Sequence, residues 1–242
     1  MNDSLIEKIL TLTEKRYYAD LFLFCCISTY FIFSIIYFRK NKLQALFLAY
    51  STTILIAITL VQMLVLKVFK ISNKEIDLYI LLINNLVIFI EFISFYYLYF
   101  PIIKSHRLKK ILLFSRFIIT TSTVIFIFLL FFTSFSYKKN LHASYLLNMF
   151  EFIMLLLISL HYFFQVNKEE TALSLKDSPL FWISSGVLIY ASASIPFMST
   201  GDSLYLNEKK LYTLLFAIHY YSLGLLFLAI SKALSLKKQL TE

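Results

Sequence analysis

The chain has 242 residues, of which 60% are hydrophobic and 15% are charged, and its formal net charge is +9. A soluble domain carries about 25% charged residues, so this composition is typical of a membrane protein. The lysines lie in short segments between apolar runs, where they hold helix ends at the lipid headgroups, and the net charge therefore does not indicate nucleic-acid binding. With three glycines in all, the short strands and glycine-rich turns of a β-barrel are excluded.

Seven apolar runs of about 20 residues or more follow one another, each long enough to cross the hydrocarbon core as a helix. Helices satisfy their own backbone hydrogen bonds in lipid. The sequence therefore predicts an all-α membrane protein, a bundle of about seven transmembrane helices with short loops. The predicted spans cover approximately residues 20–38, 43–66, 78–103, 111–135, 144–166, 179–198 and 211–234.

Three segments make up the predicted organisation. Residues 1–17 form an amphipathic N-terminal segment, in which Ser4 and Glu7 fit a capping box and the helix lies on the membrane surface; a frayed tail is the alternative. Residues 18–236 form the seven-helix bundle, with Pro179 in the first turn of the sixth helix after the capping candidates Asp177 and Ser178. Residues 237–242 form a short basic cytoplasmic tail.

The first apolar run is too long for the hydrophobic region of a signal peptide and has no small-residue cleavage site, so it is expected to stay as the first span. The adjacent Cys25 and Cys26 diverge in a helix and are expected to pack rather than to form a disulfide. Lys and Arg are slightly more numerous in the loops on the side of the C-terminus. This bias predicts a cytoplasmic C-terminus and an N-terminus outside.

Ionisable side chains within the spans are costly, at about 2.5 to 3.5 kcal/mol each, and so require a function or a partner. The third, fifth and seventh spans run in one direction and the second and sixth in the other, so their polar residues fall in the same half of the membrane around Glu91. The sequence therefore predicts one polar cavity for a ligand or a proton. Its predicted lining is Glu91, Asn84, Asn148, Glu151, His219, Tyr190, Ser192 and Gln62.

Helical spacing supports this grouping and also allows a simpler interpretation. Asn84 and Glu91 share a face, as do Asn148 and Glu151. Two stripes follow the same rule: Thr52, Thr59 and Gln62 on the second span, and Trp182, Ser185, Ile189, Ser192 and Pro196 on the sixth. The alternative is that the polar groups only form hydrogen bonds between helices. His161 is expected to be structural and Trp182 to anchor the helix at the interface.

The catalytic and cofactor motifs expected of an enzyme are missing. No HExxH, GxSxG, P-loop or GxGxxG pattern occurs, and no Asp lies inside a span. The isolated Glu91, Glu151, His161 and His219 do not provide the converging ligands of a zinc site or a haem. We therefore predict no catalytic residue, no metal and no cofactor. The few Gly and Pro residues also give little sign of the broken helices and repeats of many carriers.

The stretch Pro179-Leu180-Phe181-Trp182-Ile183, with Gly186 and Leu188-Ile189-Tyr190, resembles an uncharacterised family of bacterial seven-helix integral membrane proteins. Asn84-Asn85-Leu86 followed by Glu91-Phe92 is similar to the third helix of that family. The resemblance implies a protein of the bacterial cytoplasmic membrane that accompanies two-component signalling, and it brings no catalytic residues.

The leading hypothesis is a non-enzymatic sensor or signalling accessory with a polar intramembrane cavity. The expected partners are the lipid bilayer, a small lipid-like ligand and a cytoplasmic or membrane signalling protein that reads the segment Lys104 to Lys110 and the tail, with no nucleic acid. A small proton-coupled transporter that uses Glu91 and Glu151 is the alternative. An intramembrane enzyme is the second alternative.

Overall fold

The computed structural model describes the backbone of residues 3–36, 42–65, 73–132, 137–168 and 175–236. Side chains are described over 18–36, 47–60, 81–128, 142–168, 175–201 and 207–236.

Seven α-helices and no strand are found in these ranges, which confirms the predicted all-α class. The helices are α1 (Asp3–Ile36), α2 (Lys42–Val65), α3 (Asn73–Tyr99), α4 (His106–Phe132), α5 (Tyr137–Lys168), α6 (Pro179–Asn207) and α7 (Lys209–Ser235).

Six of the helices are long and apolar enough to cross a membrane, which confirms a multi-pass helical protein. Their apolar segments are Tyr18–Ile36, Leu81–Tyr99, His106–Phe128, His142–Lys168, Pro179–Gly201 and Lys209–Ser235. In α2 the described apolar segment is the shorter Phe47–Leu60. A seventh crossing by α2 therefore stays a prediction.

Two helices continue past the boundaries that hydropathy predicted. α1 passes residue 17 without a break, and the orientation of its first turns on the membrane stays a prediction. α6 runs beyond Met198 to Asn207 and ends one residue before α7 begins. The hydroxyl groups of Ser199 and Thr200 donate to the Pro196 carbonyl within that extension. Loss of hydropathy marks the edge of the hydrocarbon region, whereas polar residues can continue a helix beyond it.

The start of α6 agrees in part with the prediction from the sequence. Pro179 occupies the first turn and Ser178 is the N-cap residue with an extended backbone. Its side chain makes no capping hydrogen bond, and its backbone N–H donates to the Leu175 carbonyl. The capping box predicted at Ser4 lies outside the described side chains.

The chain divides into two compact units, one of residues 1–38 and 155–242 and the other of residues 39–154. In the first unit, α7 packs against α6 and against α1. A Cβ on Gly186 would lie 2.8 Å from the Ala229 Cβ, and one on Gly224 would lie 2.6 Å from the Phe22 Cε1. These glycines permit the helices to approach closely. Close packing of this kind stabilises helix association in lipid, where no hydrophobic effect drives helices together.

In the second unit, α3 packs against α2 and α4. The rings of Phe47 and Tyr50 on α2 contact Phe95 on α3 edge-on, with centroids 5.5 Å and 6.2 Å apart. All three rings are buried. Part of the exposed surface of α4 is apolar: Phe114 and Phe117 are 64% and 66% exposed. Large exposed apolar surface of this kind is what lipid solvates.

Candidate functional site

A cluster of amides and a hydroxyl joins α3 to the first half of α5. Ser144 is buried on α5, and its hydroxyl accepts from the Asn84 amide at 2.9 Å and from the Asn85 amide at 3.4 Å. The Asn85 amide also donates to the Leu81 carbonyl, and the Asn148 amide donates to the Ser144 carbonyl at 3.1 Å. Side-chain hydrogen bonds of this kind hold membrane helices together.

Two buried carboxyl groups lie in the same two helices. Glu91 is 3% exposed and Glu151 is fully buried. The carboxyl groups interact electrostatically with each other. Among the described residues, neither oxygen of Glu151 has a hydrogen-bond partner. A buried polar group without a partner is costly, so such a group in a folded protein requires an explanation.

The amide cluster and the carboxyl groups share one register. Glu91 follows Asn84 by seven residues, and Glu151 follows Ser144 by the same seven. Because the first pair is hydrogen-bonded and the second interacts electrostatically, α3 and α5 run parallel here and meet at two levels. Seven residues correspond to two turns, or about 10.5 Å along the helix axis. The hydrogen-bonded pair and the two carboxyl groups therefore lie about two turns apart along α3 and α5.

The unit of residues 1–38 and 155–242 has a polar cluster of its own, centred on His219 of α7. Ser194 Oγ lies 2.8 Å from His219 Nδ1 and also donates to the Tyr190 carbonyl at 2.7 Å. The imidazole stacks on Phe197 with centroids 5.5 Å apart, and Tyr190 lies at the same centroid distance. His219 is 8% exposed. Its ring is therefore held by aromatic packing as well as by the Ser194 hydroxyl.

The predicted lining residues are distributed over both units. Asn84 bonds to Ser144 across α3 and α5, Asn148 bonds to the Ser144 carbonyl within α5, and Glu91 interacts electrostatically with Glu151. His219 and Tyr190 come together in the α6–α7 contact. The side chain of Gln62 lies outside the described residues. A single cavity that contains both groups stays a prediction.

The stripe predicted on α6 lies largely on its outer side. Ile189, Ser192 and Pro196 are exposed, and the Ser192 hydroxyl donates to the Ile189 carbonyl of its own helix. The buried residue that reaches His219 is Ser194, which is two positions away. Thr52 and Thr59 of α2 are exposed as well, and each bonds to a carbonyl four residues earlier. These exposed hydroxyls are thus satisfied by carbonyls of their own helices.

Sequence reasoning missed Ser144 and Ser194. Both are serines within apolar runs, where most hydroxyls bond only to their own helix, as Ser115 does with the Ile111 carbonyl. The one available signal was the seven-residue spacing that Ser144 and Glu151 share with Asn84 and Glu91.

Trp182 and the two cysteines, which the sequence analysis also discussed, lie outside both polar clusters. The Trp182 indole donates to the Lys176 carbonyl at 2.8 Å, and the Lys232 ammonium lies 5.9 Å from the ring centroid. Tryptophan at a helix end with lysine beside it is typical of a membrane interface. Cys26 is buried and Cys25 is exposed, and both are free thiols.

The α3–α5 contact combines hydrogen-bonded amides with two buried carboxyl groups. No group of three or more His, Cys, Asp or Glu side chains that could hold a metal ion occurs among the described residues. Two carboxylates that interact electrostatically repel each other unless a proton or a cation neutralises one of them.

No protein-family model, curated protein or solved structure matches the chain. The similarity to a bacterial seven-helix family therefore rests on the quoted motifs alone. The helices themselves show a multi-pass helical membrane protein.

Proposed function

We propose that the protein is a non-enzymatic membrane sensor in which Glu91 and Glu151 together bind an exchangeable proton. The observation that carries the proposal is the fully buried Glu151, whose two oxygens have no hydrogen-bond partner among the described residues and which interacts electrostatically with Glu91. This pair is the ligand-binding part of the polar site predicted from the sequence.

The cost of burial makes the proton the simplest guest. An isolated ionised carboxylate is expensive to bury, and two adjacent ones are more so. One bound proton neutralises one carboxyl group and removes the repulsion between the two. The number of protons held by Glu91 and Glu151 therefore changes the attraction between α3 and α5.

The same contact offers a route from proton binding to packing. The hydrogen bond between Asn84 and Ser144 lies two helical turns from the carboxyl groups. A change in the Glu91–Glu151 interaction therefore favours or opposes the same α3–α5 register. A ligand changes a conformation only by binding one state better than the other, and here the two states differ in carboxyl repulsion. A signalling partner would read the result at residues 104–110.

The test is infrared spectroscopy of the pure protein in lipid nanodiscs, titrated from about pH 4 to pH 9. Wild type is expected to show the carbonyl band of a protonated, buried carboxyl that changes with pH. Glu151→Gln and Glu91→Gln should each remove or shift that band. Glu208→Gln, at an exposed position between α6 and α7, is the matched control and should leave the band unchanged. A spectrum without a band assignable to Glu91 or Glu151 would reject proton binding.

A second candidate is a small proton-coupled carrier. The observation that favours it is the His219–Ser194 pair, which places a further titratable side chain within a span. Proteoliposomes with a pH gradient would show proton uptake that Glu91→Gln abolishes. Proton binding by infrared spectroscopy without any flux would favour the sensor.

A further inference from the structure

The end of α3 and the start of α4 carry a surface of basic and aromatic residues. This surface has no role in the proton binding proposed for Glu91 and Glu151. Arg116 lies within the apolar segment His106–Phe128, ten residues after the start of α4, and its side chain is exposed. It lies six residues, or about 9 Å along the helix axis, beyond Lys110, the last basic residue of the first turns. A charged side chain at such a position requires a partner.

Aromatic rings of α3 hold two cations of α4. The Arg116 guanidinium lies 5.1 Å from the Tyr96 ring centroid, and the Lys109 ammonium lies 5.5 Å from that of Phe100. The rings of Tyr96 and Phe100 stack with centroids 5.0 Å apart. Lys109 and Arg116 are seven residues apart and so share one face of α4. Contact with a ring face orients a cation but leaves its N–H groups available.

The local sequence provides no carboxylate to neutralise these cations. Residues 92–150 contain no Asp or Glu and seven Lys or Arg residues. Lys104, Arg107 and Lys110 are exposed around the same helix junction. The flanking Glu91 and Glu151 are buried and interact electrostatically with each other. An anion for Lys109 and Arg116 therefore has to come from outside this segment.

The surroundings of Arg116 determine which anion fits. The neighbouring Leu113, Phe114 and Phe117 are exposed and apolar, so a ligand here must offer acyl chains beside its negative charge. A guanidinium pairs with phosphate through two parallel hydrogen bonds, and a long basic side chain can extend from the hydrocarbon region to the headgroups.

We infer that Arg116 and Lys109, oriented by Tyr96 and Phe100, bind the phosphate of an anionic phospholipid. The acyl chains lie along Phe114 and its apolar neighbours. The inference is independent of proton binding at Glu91 and Glu151, and either can fail without the other.

The experiment is native mass spectrometry of the protein extracted from bilayers of phosphatidylcholine that contain phosphatidylglycerol. Wild type should retain phosphatidylglycerol in preference to phosphatidylcholine. Arg116→Gln should reduce that preference about fivefold, the effect of removing one basic residue near a charged surface. The exposed Lys210→Gln at the start of α7 is the matched control and should not change it.

Two further variants keep the test decisive if Arg116→Gln fails to fold. Lys109→Gln should weaken phosphatidylglycerol retention by a similar factor, whereas Arg116→Lys should retain much of it because the charge remains. Equal retention of both lipids by wild type, or unchanged selectivity in Arg116→Gln, would overturn the inference. Displacement of the lipid by inorganic phosphate alone would show that the site does not require acyl chains, and would also overturn it.

Discussion

Gly186 lies where α6 meets α7, and the substitution Gly186→Ala tests how that contact is built. The new Cβ would lie 2.8 Å from the Ala229 Cβ, 3.1 Å from the Leu226 Cδ1 and 3.2 Å from the Leu226 Cα. Carbon atoms in contact are ordinarily separated by about 3.5 to 4.0 Å. Because the Ala229 Cβ and the Leu226 Cα cannot rotate away, the two helices themselves must separate.

Two effects oppose each other in this variant. Overpacking of a close contact costs about 1 to 3 kcal/mol, whereas Gly to Ala in a helix gains about 1 kcal/mol of intrinsic propensity. In lipid the helix is already formed before it packs, so the propensity gain is smaller. We expect Gly186→Ala to lower the free energy of unfolding by about 1 to 2 kcal/mol, with the overpacking cost dominant.

The assay is reversible unfolding in mixed detergent, followed by circular dichroism. Gly224→Ala adds the same methyl group on α7, but it meets the Phe22 ring and Cys26 Sγ, which can rotate. It is therefore the matched comparison and should cost less. The double variant Gly186→Ala with Ala229→Gly removes the contact on the other side, and a favourable coupling energy of about 1 kcal/mol is expected between the two sites.

Stability of Gly186→Ala equal to or above that of wild type would refute the proposed close approach. Additivity of the two substitutions would do so even if Gly186→Ala is destabilising, because the loss would then arise elsewhere.

Two further outcomes test the polar clusters. Ser144→Ala removes the acceptor of two asparagine amides and should cost about 0.6 to 1.7 kcal/mol of unfolding free energy. Ser115 is equally buried but its hydroxyl bonds only to its own helix, so Ser115→Ala should cost almost nothing. Equal losses in the two variants would contradict the α3–α5 cluster. Ser194→Ala should change the ¹⁵N chemical shifts of the His219 ring by removing the partner of Nδ1, and Ser231→Ala should not; unchanged shifts in Ser194→Ala would contradict that hydrogen bond.

The fold class could be predicted from the sequence because lipid imposes a strong constraint. A backbone in the hydrocarbon core must satisfy its own hydrogen bonds, so length and hydropathy suffice to predict helices. Helix ends could not be predicted in the same way. α6 continues to Asn207, because a helix that begins in the hydrocarbon core can extend into water beyond it. Hydropathy reports where the membrane ends, which is a different boundary.

That Glu91 and Glu151 require a partner or a function was predicted from the sequence, since an ionisable side chain within a membrane span is costly to bury. Their electrostatic interaction with each other was not. Spacing along one helix shows which residues share a face, but the rotation of that face toward a neighbour depends on packing between helices. For the same reason, the hydrogen bond between Ser194 and His219 was not predicted.

The sequence by itself thus determined that the protein lies in a lipid bilayer, that it is helical, and which side chains are costly to bury there. Only the tertiary structure decided the partners: Ser144 between two asparagines, Ser194 on His219, and Arg116 over Tyr96. The physical reason is that transfer into lipid is a property of each segment, whereas a contact between helices depends on the shape and rotation of both.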